Sequence, residues 1–391
     1  MTNFYISIAA AEGNVGDIVI RREVIRQFRA SGLQPYIYRG AMSDSYVDAF
    51  NLDASEVVTP SPVRFLAALF RDTASRGRPV VVMAPGPIRV GGSAKTSLKH
   101  ILLILVLSLV RLSGGNVLTV GRSVEIGRRY GLVVERALAG ISNIYIARDS
   151  RTSQLIGDKS RLFPDYAFRG QPLQSRAANV PSAVRSLLVV SLRHDRLSIE
   201  DAPTIDAIGR YALVHGLELK FVAQVREDSD QNARLAAWHG ASFDAWDFGV
   251  SHSLIEERLA ETYTRATAVV SDRLHVLILA ARLGAIPIIF HRPSVTKLPD
   301  ALDYVLLPQR IESGDVSAVF RTDSAEHKRI EDRIVVAAAR MEELDAELVE
   351  KVAVSAGTKS SSDQPAHAAP CSVAAGRDAQ IDVKEWSQNG K

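Results

Sequence analysis

Four stretches of the 391-residue chain place reactive or cationic side chains directly after β-branched runs. The strongest is Val270-Ser271-Asp272-Arg273-Leu274-His275, followed by an apolar helical pattern over Leu274–Leu283. The spacing predicts that Asp272 caps this helix and that Arg273 and His275 occupy its first turn. There the positive end of the helix dipole favours an anion. A histidine beside an arginine and a bound anion can serve as general acid or base. The competing reading is a packed ring with satisfied nitrogens. A second stretch, Ala147-Arg148-Asp149-Ser150-Arg151-Thr152-Ser153, also ends a strand pattern. Arg148 suits forked binding of a carboxylate or phosphate and Asp149 suits a helix cap; a local ion pair at a helix start explains them equally. In the third, Gly13-Asn14-Val15-Gly16-Asp17, glycines allow a tight turn and close approach to a ligand, with Asp17 as a cap. G-x-x-G without the full G-x-G-x-x-G does not specify a nucleotide, and a capped turn accounts for the same residues. Arg193 and Lys297 each follow a predicted strand as well. Arg148, Arg193, Arg273 and Lys297 converging from separate loops would suit a small ligand bearing both phosphate and carboxylate.

The fourth stretch, Pro85–Thr96, superficially resembles a phosphate-binding Walker A loop, which requires G-x-x-x-x-G-K-[ST]. Only Gly92, Ser93 and Ala94 separate Gly91 from Lys95, which misplaces the lysine and excludes an ATPase of that kind. No histidine pair has H-x-x-x-H spacing, and H-E-x-x-H and G-x-S-x-G are missing, so metal and serine hydrolases gain no support. Cys371 is the single cysteine, which forbids an intrachain disulfide and a multi-cysteine metal site. No metal is expected. With 47 Lys+Arg against 44 Asp+Glu, the charge balance does not point to nucleic acid.

The elements that must position these residues alternate along the chain. Strands are predicted at Phe4–Ala11, Pro35–Tyr38, Pro79–Ala84, Asn116–Val120 and Asn143–Ala147, with helices between, including Ser61–Ser75 and Val124–Ala139. The alternation restarts with strands at Leu187–Leu192, Leu217–Val225, Ala268–Val270 and Ile286–Phe290. Helices are expected near Ile199–His215, Ser253–Arg265 and Leu274–Leu283, and a long one over about Ser324–Val352 closes the fold. The fold class is α/β: two Rossmann-like domains facing across a cleft, residues 1–170 and 183–354, joined by a polar linker over Gly170–Ser182. Residues 355–391 form a low-complexity tail, predicted to be disordered or loosely attached. Met1–Ala11 has the pattern of a first strand and not of a signal peptide. Ile101–Val110 is too short to span a bilayer, which needs roughly 20 apolar residues. It is expected as a helix buried in a sheet-flanking layer, or, in the sharper reading, as one dipping into a membrane surface.

The motifs G-N-x-G-D (Gly13–Asp17), R-D-x-x-S (Arg148–Ser153), P-D-x-A-F (Pro164–Phe168) and S-x-R-L-H (Ser271–His275), followed by Ala280–Pro287, occur in an order that resembles the polysaccharide pyruvyltransferases. The resemblance covers roughly the first 300 residues. It implies a glycosyltransferase-B type fold, phosphoenolpyruvate as donor without a separate cofactor, and a sugar acceptor that receives pyruvate as a cyclic ketal. By motif it implies catalytic roles for His275, Arg148 and Asp149. Donor or acceptor binding would fall to Arg273, Asn14, Gly16, Asp17 and Ser271, joined by Lys297 and Arg193 on their place after predicted strands alone, with Asp17 or Asp149 orienting the acceptor. Without a signal or spanning pattern a soluble, cytoplasmic protein is expected, and the resemblance implies that it is brought to the inner membrane face if the acceptor is a lipid-linked oligosaccharide. The sequence departs from the family where A-P-G-P (Ala84–Pro87) replaces a run of glycines, which leaves acceptor contacts open. Two alternatives carry different expectations. A nucleotide-sugar-dependent glycosyltransferase of the same architecture would release a nucleoside diphosphate. A non-catalytic scaffold of envelope-glycan assembly would not bind phosphoenolpyruvate.

Overall fold

Two parallel sheets are built around central strands that are short β-branched runs with almost every residue buried, as expected for strands covered on both faces, while the strands toward their edges are more exposed. The computed structural model describes residues 2–75, 77–92, 94–169, 185–247, 249–291, 297–312, 316 and 320–356. The first sheet contains β1 (Asn3–Ser7), β2 (Gln34–Tyr38), β3 (Val57–Thr59), β4 (Val80–Met83), β5 (Gly86–Val90), β6 (Asn116–Ile126), β7 (Ile144–Ala147) and β8 (Arg161–Leu162). Its order is β3-β2-β1-β4-β6-β7-β8. β4 and β5 lie end to end along β6: Val80–Met83 pair with Asn116–Thr119, and Gly86–Val90 pair with Arg122–Ile126. Gly121, at φ +60°, sits between the two registers, where a Cβ would stand 2.8 Å from Cβ of Pro85. The Gly-Pro stretch expected as loop therefore begins as a strand. The helix expected from Val124 starts only at Arg129, because Val124–Ile126 are held by β5.

Helices α1 (Val15–Ala30), α2 (Asp44–Asp48), α3 (Pro62–Ala74), α4 (Ala94–Leu112), α5 (Arg129–Ile141) and α6 (Ser150–Ile156) complete this half. Alternate residues of β1 divide them: Phe4 and Ile6 pack with α1, whereas Tyr5 packs with Leu69 of α3, Leu107 of α4 and Leu138 of α5. The apolar run Ile101–Val110 lies on α4. Its Leu107 and Val110 are buried against the sheet, but Leu102, Leu105 and Leu109 face outward. The expectation of a buried helix holds for its inner face alone.

The second sheet contains β9 (Leu187–Ser191), β10 (Glu218–Val222), β11 (Ser242–Asp244), β12 (Ala266–Ser271), β13 (Ile286–Phe290) and β14 (Gln309–Ile311), in the order β11-β10-β9-β12-β13-β14. Around it lie α7 (Ala202–Val214), α8 (Ser229–His239), α9 (His252–Arg265), α10 (Leu274–Arg282) and α11 (Lys297–Asp303). Both sheets reverse strand order beside their first strand, the arrangement of two Rossmann-like domains, and the whole is a glycosyltransferase-B type fold. The last helix, α12 (Ser324–Ala356), returns to the first sheet. Its Ile330, Ile334, Ala337, Met341, Leu344 and Leu348 recur at helical period and join the core containing Phe4, Ile18 and Tyr166. The described residues form one compact unit. The expected linker at Gly170–Ser182 and the tail beyond Ala356 lie outside the described residues. No helix among the described residues is long and apolar enough to cross a membrane.

Candidate active site

The loop after β1 is laced to the loop after β10. Val15 N–H donates to Gln224 O (3.3 Å), Arg226 N–H donates to Gly13 O (2.8 Å), and Asn14 bridges Val225. Asn14 caps α1, its Oδ1 accepting from Gly16 N (3.0 Å), while Nδ2 donates to Asp17 Oδ2 (3.1 Å). Asp17 thus lies inside the first turn, paired with Arg21 (3.1 Å), and is not the cap the sequence suggested. A cap must precede the first helical N–H groups, and Asn14 already holds that place. The turn brings Gly16 against His275, 259 positions later. A Cβ on Gly16 would stand 2.3 Å from His275 Nδ1 and 2.5 Å from its Cβ. Only a glycine permits this approach.

His275 occupies the first turn of α10, whose cap residue is Arg273, without a side-chain capping bond. Asp272 does not cap this helix as expected. Its Oδ1 accepts instead from Arg193 N–H (2.9 Å), fixing the loop after β9. The leading N–H groups of α10 therefore lack a side-chain cap at the end where the dipole is positive. Ser271 is fully buried; its hydroxyl donates to Ser191 O (2.6 Å) and accepts from Arg273 N–H (3.0 Å). It sets the strand-to-helix turn and does not face the cleft.

Three motifs meet at the ring of His275. Arg148 Nη1 donates to Asp165 Oδ2 (2.6 Å) and lies 3.3 Å from His275 Nε2, and Asp165 Oδ2 lies 3.6 Å from the same nitrogen. A guanidinium cannot accept, so Nε2 accepts from Arg148 when it carries no proton and faces Asp165 as a donor when it carries one. Burial alone would raise the Asp165 carboxyl, but Arg148, His275 and the Ala167 N–H together hold it well below the usual carboxylate range. Asp165 is consequently a fixed negative charge that can balance an imidazolium forming at Nε2.

These groups open on a cavity of about 510 Å³ between the two sheets, at the carboxyl ends of their strands. Arg148 and Arg151 reach it from the first half, and Arg193, Arg196 and Arg273 from the second, with Asn14 and Asp17 also lining it. Arg273 is aimed by a forked pair with fully buried Asp228 (Nε 2.5 Å, Nη2 2.7 Å), and Arg193 by a fork with Asp195 (2.8 and 2.7 Å). Held mainly by Arg193, the Asp195 carboxyl is lowered to about 2. Burial and neighbouring Arg193 lower Arg196, the response expected of a cation in a positive field. Each guanidinium has five N–H donors, so forked pairing orients the side chain and leaves donors for a ligand. Glu125 and Asp272 add carboxylates to the wall.

Of the residues singled out in the sequence, His275, Arg148, Arg273, Arg193, Asn14 and Asp17 line this cavity, and Gly16 seats the His275 ring. Asp149 does not line it. That residue caps α6, with Oδ1 accepting from Thr152 N–H (2.7 Å), and is buried. Lys297 begins α11, but its side chain lies outside the described residues. Sequence reasoning missed Asp165, Arg151, Arg196 and Gln224 as site residues. Asp165 stood inside the quoted P-D-x-A-F motif, and Gln224 and Arg196 follow strands β10 and β9, so the strand-end criterion was the available signal.

No protein-family model and no curated protein matches the sequence. Solved structures do match at the level of the fold. A UDP-N-acetylglucosamine 2-epimerase aligns over 94% of this chain and 99% of its own, with 12% identity and a TM-score of 0.53. The Anabaena protein HepE, solved in complex with UDP, aligns over 90% and 100%, with 9% identity and a TM-score of 0.53. A glycosyltransferase from Rickettsia africae aligns over 91% and 96%, with 11% identity and a TM-score of 0.50.

Proposed function

We propose that this protein is a ketal-forming pyruvyltransferase that uses phosphoenolpyruvate as donor and a sugar bearing two nearby hydroxyls as acceptor. The observation that carries the proposal is the meeting of the four motifs, Gly13–Asp17, Arg148–Asp149, Pro164–Asp165 and Ser271–His275, at one arginine-lined cavity. Phosphoenolpyruvate concentrates a phosphate and a carboxylate on three carbons, which matches clustered guanidinium forks and the N-terminus of α10. The cavity has room beyond such a donor for a sugar ring.

In the proposed reaction, protonated His275 gives the Nε2 proton to the methylene carbon of the donor, and the neighbouring carbon becomes an oxocarbenium ion. One sugar hydroxyl adds to that carbon and returns its proton to Nε2, with Asp165 balancing the imidazolium. The carbon–oxygen bond to phosphate then breaks, the second hydroxyl closes the ketal, and its proton leaves with phosphate. Arg148, Arg193 and Arg273 stabilise the charge carried by the anionic groups. Asp17, which lines the cavity and is held by Arg21 and Asn14, would orient an acceptor hydroxyl; Asp149 is engaged as a helix cap.

A second reading, a glycosyltransferase using a UDP-sugar, is favoured by the fold neighbours, among them the Anabaena protein solved with UDP and with UDP plus glucose. Against it, no Phe, Tyr or Trp side chain among the described residues lines the cavity to stack on a base. The experiment is phosphate release from phosphoenolpyruvate across galactosides, glucosides and mannosides, run beside UDP release from UDP-sugars. Phosphate release with a ketal product supports the pyruvyltransferase. UDP release with no phosphate overturns it in favour of the second reading.

A further inference from the structure

We propose that the outer faces of α3, α4 and α5 form a surface by which the protein lies on an anionic lipid bilayer. The three helices cover one side of the first sheet, and their inner residues share a core with Tyr5, Val81 and Val117. Their outer sides are apolar where a solvated helix would be charged. On α4, Leu98, Ile101, Leu102, Leu105, Leu109 and Leu112 recur at helical spacing and are 46–85% exposed. Val63, Leu66 and Phe70 continue the surface on α3, and Val133 on α5, at 69% exposure. A contiguous exposed face of this kind marks an interaction site.

Charge selects the occupant. Lys99, Arg64, Arg71, Arg129 and Arg136 are exposed on the same three helices. Outward acids are missing among their described residues. Described α4 has no Asp or Glu; Glu135 of α5 is buried in a pair with Arg122; Asp72 of α3 accepts from Asn3 and Tyr5. A second copy of the chain packed on this face about a twofold axis would bring basic rims together. A bilayer containing anionic headgroups meets both the apolar face and the basic rim. The outward leucines from Leu98 to Leu112 are interrupted by Lys99 and Arg111, and α4 is not long and apolar enough to span, which accords with burial in the interface plane. The inference stands apart from the donor assignment, since none of the residues it uses lines the arginine cavity and it is read without turnover.

The test is partition of the full chain onto vesicles of phosphatidylcholine with and without phosphatidylglycerol. Binding is expected only, or much more strongly, with phosphatidylglycerol, and should weaken as salt rises. Leu105→Glu with Leu109→Glu should lower partition at least about tenfold. Leu213→Glu, an exposed site on α7 of the other half, should leave it unchanged. Thermal unfolding of the double variant checks that it folds; if its transition is lost, Leu105→Glu alone is read, with a several-fold loss expected. Failure of the wild type to bind anionic vesicles, or equal binding by the folded variant, overturns the proposal. So does a wild-type dimer that the same substitutions dissociate without any vesicle binding.

Discussion

Gly16→Ala isolates the contact that joins the two halves at the site. The added Cβ would lie 2.3 Å from Nδ1, 2.5 Å from Cβ and 2.6 Å from Cγ of His275. Ordinary carbon contacts need about 3.5–4.0 Å, so a retreat of roughly 1 Å is required. Because Cβ of His275 is itself among the clashing atoms, rotation about χ1 cannot relieve the overlap, and α1 or α10 must shift. Overpacking of this kind costs about 1–3 kcal/mol, while alanine in place of glycine inside a helix returns up to about 1 kcal/mol. Gly16 is only the second residue of α1, so that return is partial, and the net stability loss should lie at about 1–3 kcal/mol, within reach of a denaturant or thermal titration. The same retreat separates Nε2 from Arg148 and Asp165, now 3.3 and 3.6 Å away. A misplacement near 1 Å can lower turnover about 10²-fold. Phosphate release from phosphoenolpyruvate with an active acceptor should thus fall far more than stability does. Gly140→Ala is the matched control: its Cβ would meet nothing within 4 Å on α5, so stability should hold or rise with turnover intact. Wild-type turnover in Gly16→Ala would refute the claim that this contact sets the ring.

Three further outcomes are expected. His275→Ala should lower turnover by about 10²–10⁴-fold while phosphoenolpyruvate binding, followed by calorimetry, changes much less; equal losses in both would assign the ring to binding alone. Asp165→Asn leaves the buried Arg148 guanidinium facing a neutral amide and should cost about 3–5 kcal/mol in chemical denaturation. The native carboxyl of Asp165 is depressed, so its stabilisation is present above the unfolded value near 3.9 and fades as pH falls below it. The variant should show a flatter acid limb, and an unchanged limb would remove Asp165 as its source. His252 ties α9 to the first half, with Nε2 facing Glu12 O (2.8 Å) and Nδ1 facing Ser45 Oγ (3.0 Å), and burial lowers its pKa. A depressed histidine stabilises above its unfolded value near 6.5 and loses that contribution as pH falls. The denaturant midpoint should drop less between pH 7.5 and about 5.5 in His252→Gln than in the wild type, and an equal drop would refute the assignment.

By itself the sequence determined the alternation of strands and helices, the two-domain α/β class and the strand ends at which reactive residues would gather. Those features are local: buried parallel strands are short apolar runs, and the residues that follow them must lie at the cleft. It also supplied Arg148, Arg273 and His275, because cations and a histidine at such ends are visible in the linear chain. Helix caps were less legible, since Asp17 and Asn14, or Asp272 and Arg273, differ by backbone geometry that neighbouring chain segments decide. The strand pairing of β5 with β6 turned an expected loop and helix start into sheet for the same reason. Only the tertiary structure decided which motifs touch. Gly16, Arg148, Asp165 and His275 are far apart in sequence, and their contacts depend on the registers of two sheets and on the entry angles of α1 and α10. Tertiary packing likewise divided the apolar run of α4 into an inner face that fills the core and an outer face left exposed. A hydrophobic residue carries its driving force wherever it sits, but which side of a helix is covered is fixed by the neighbours it meets.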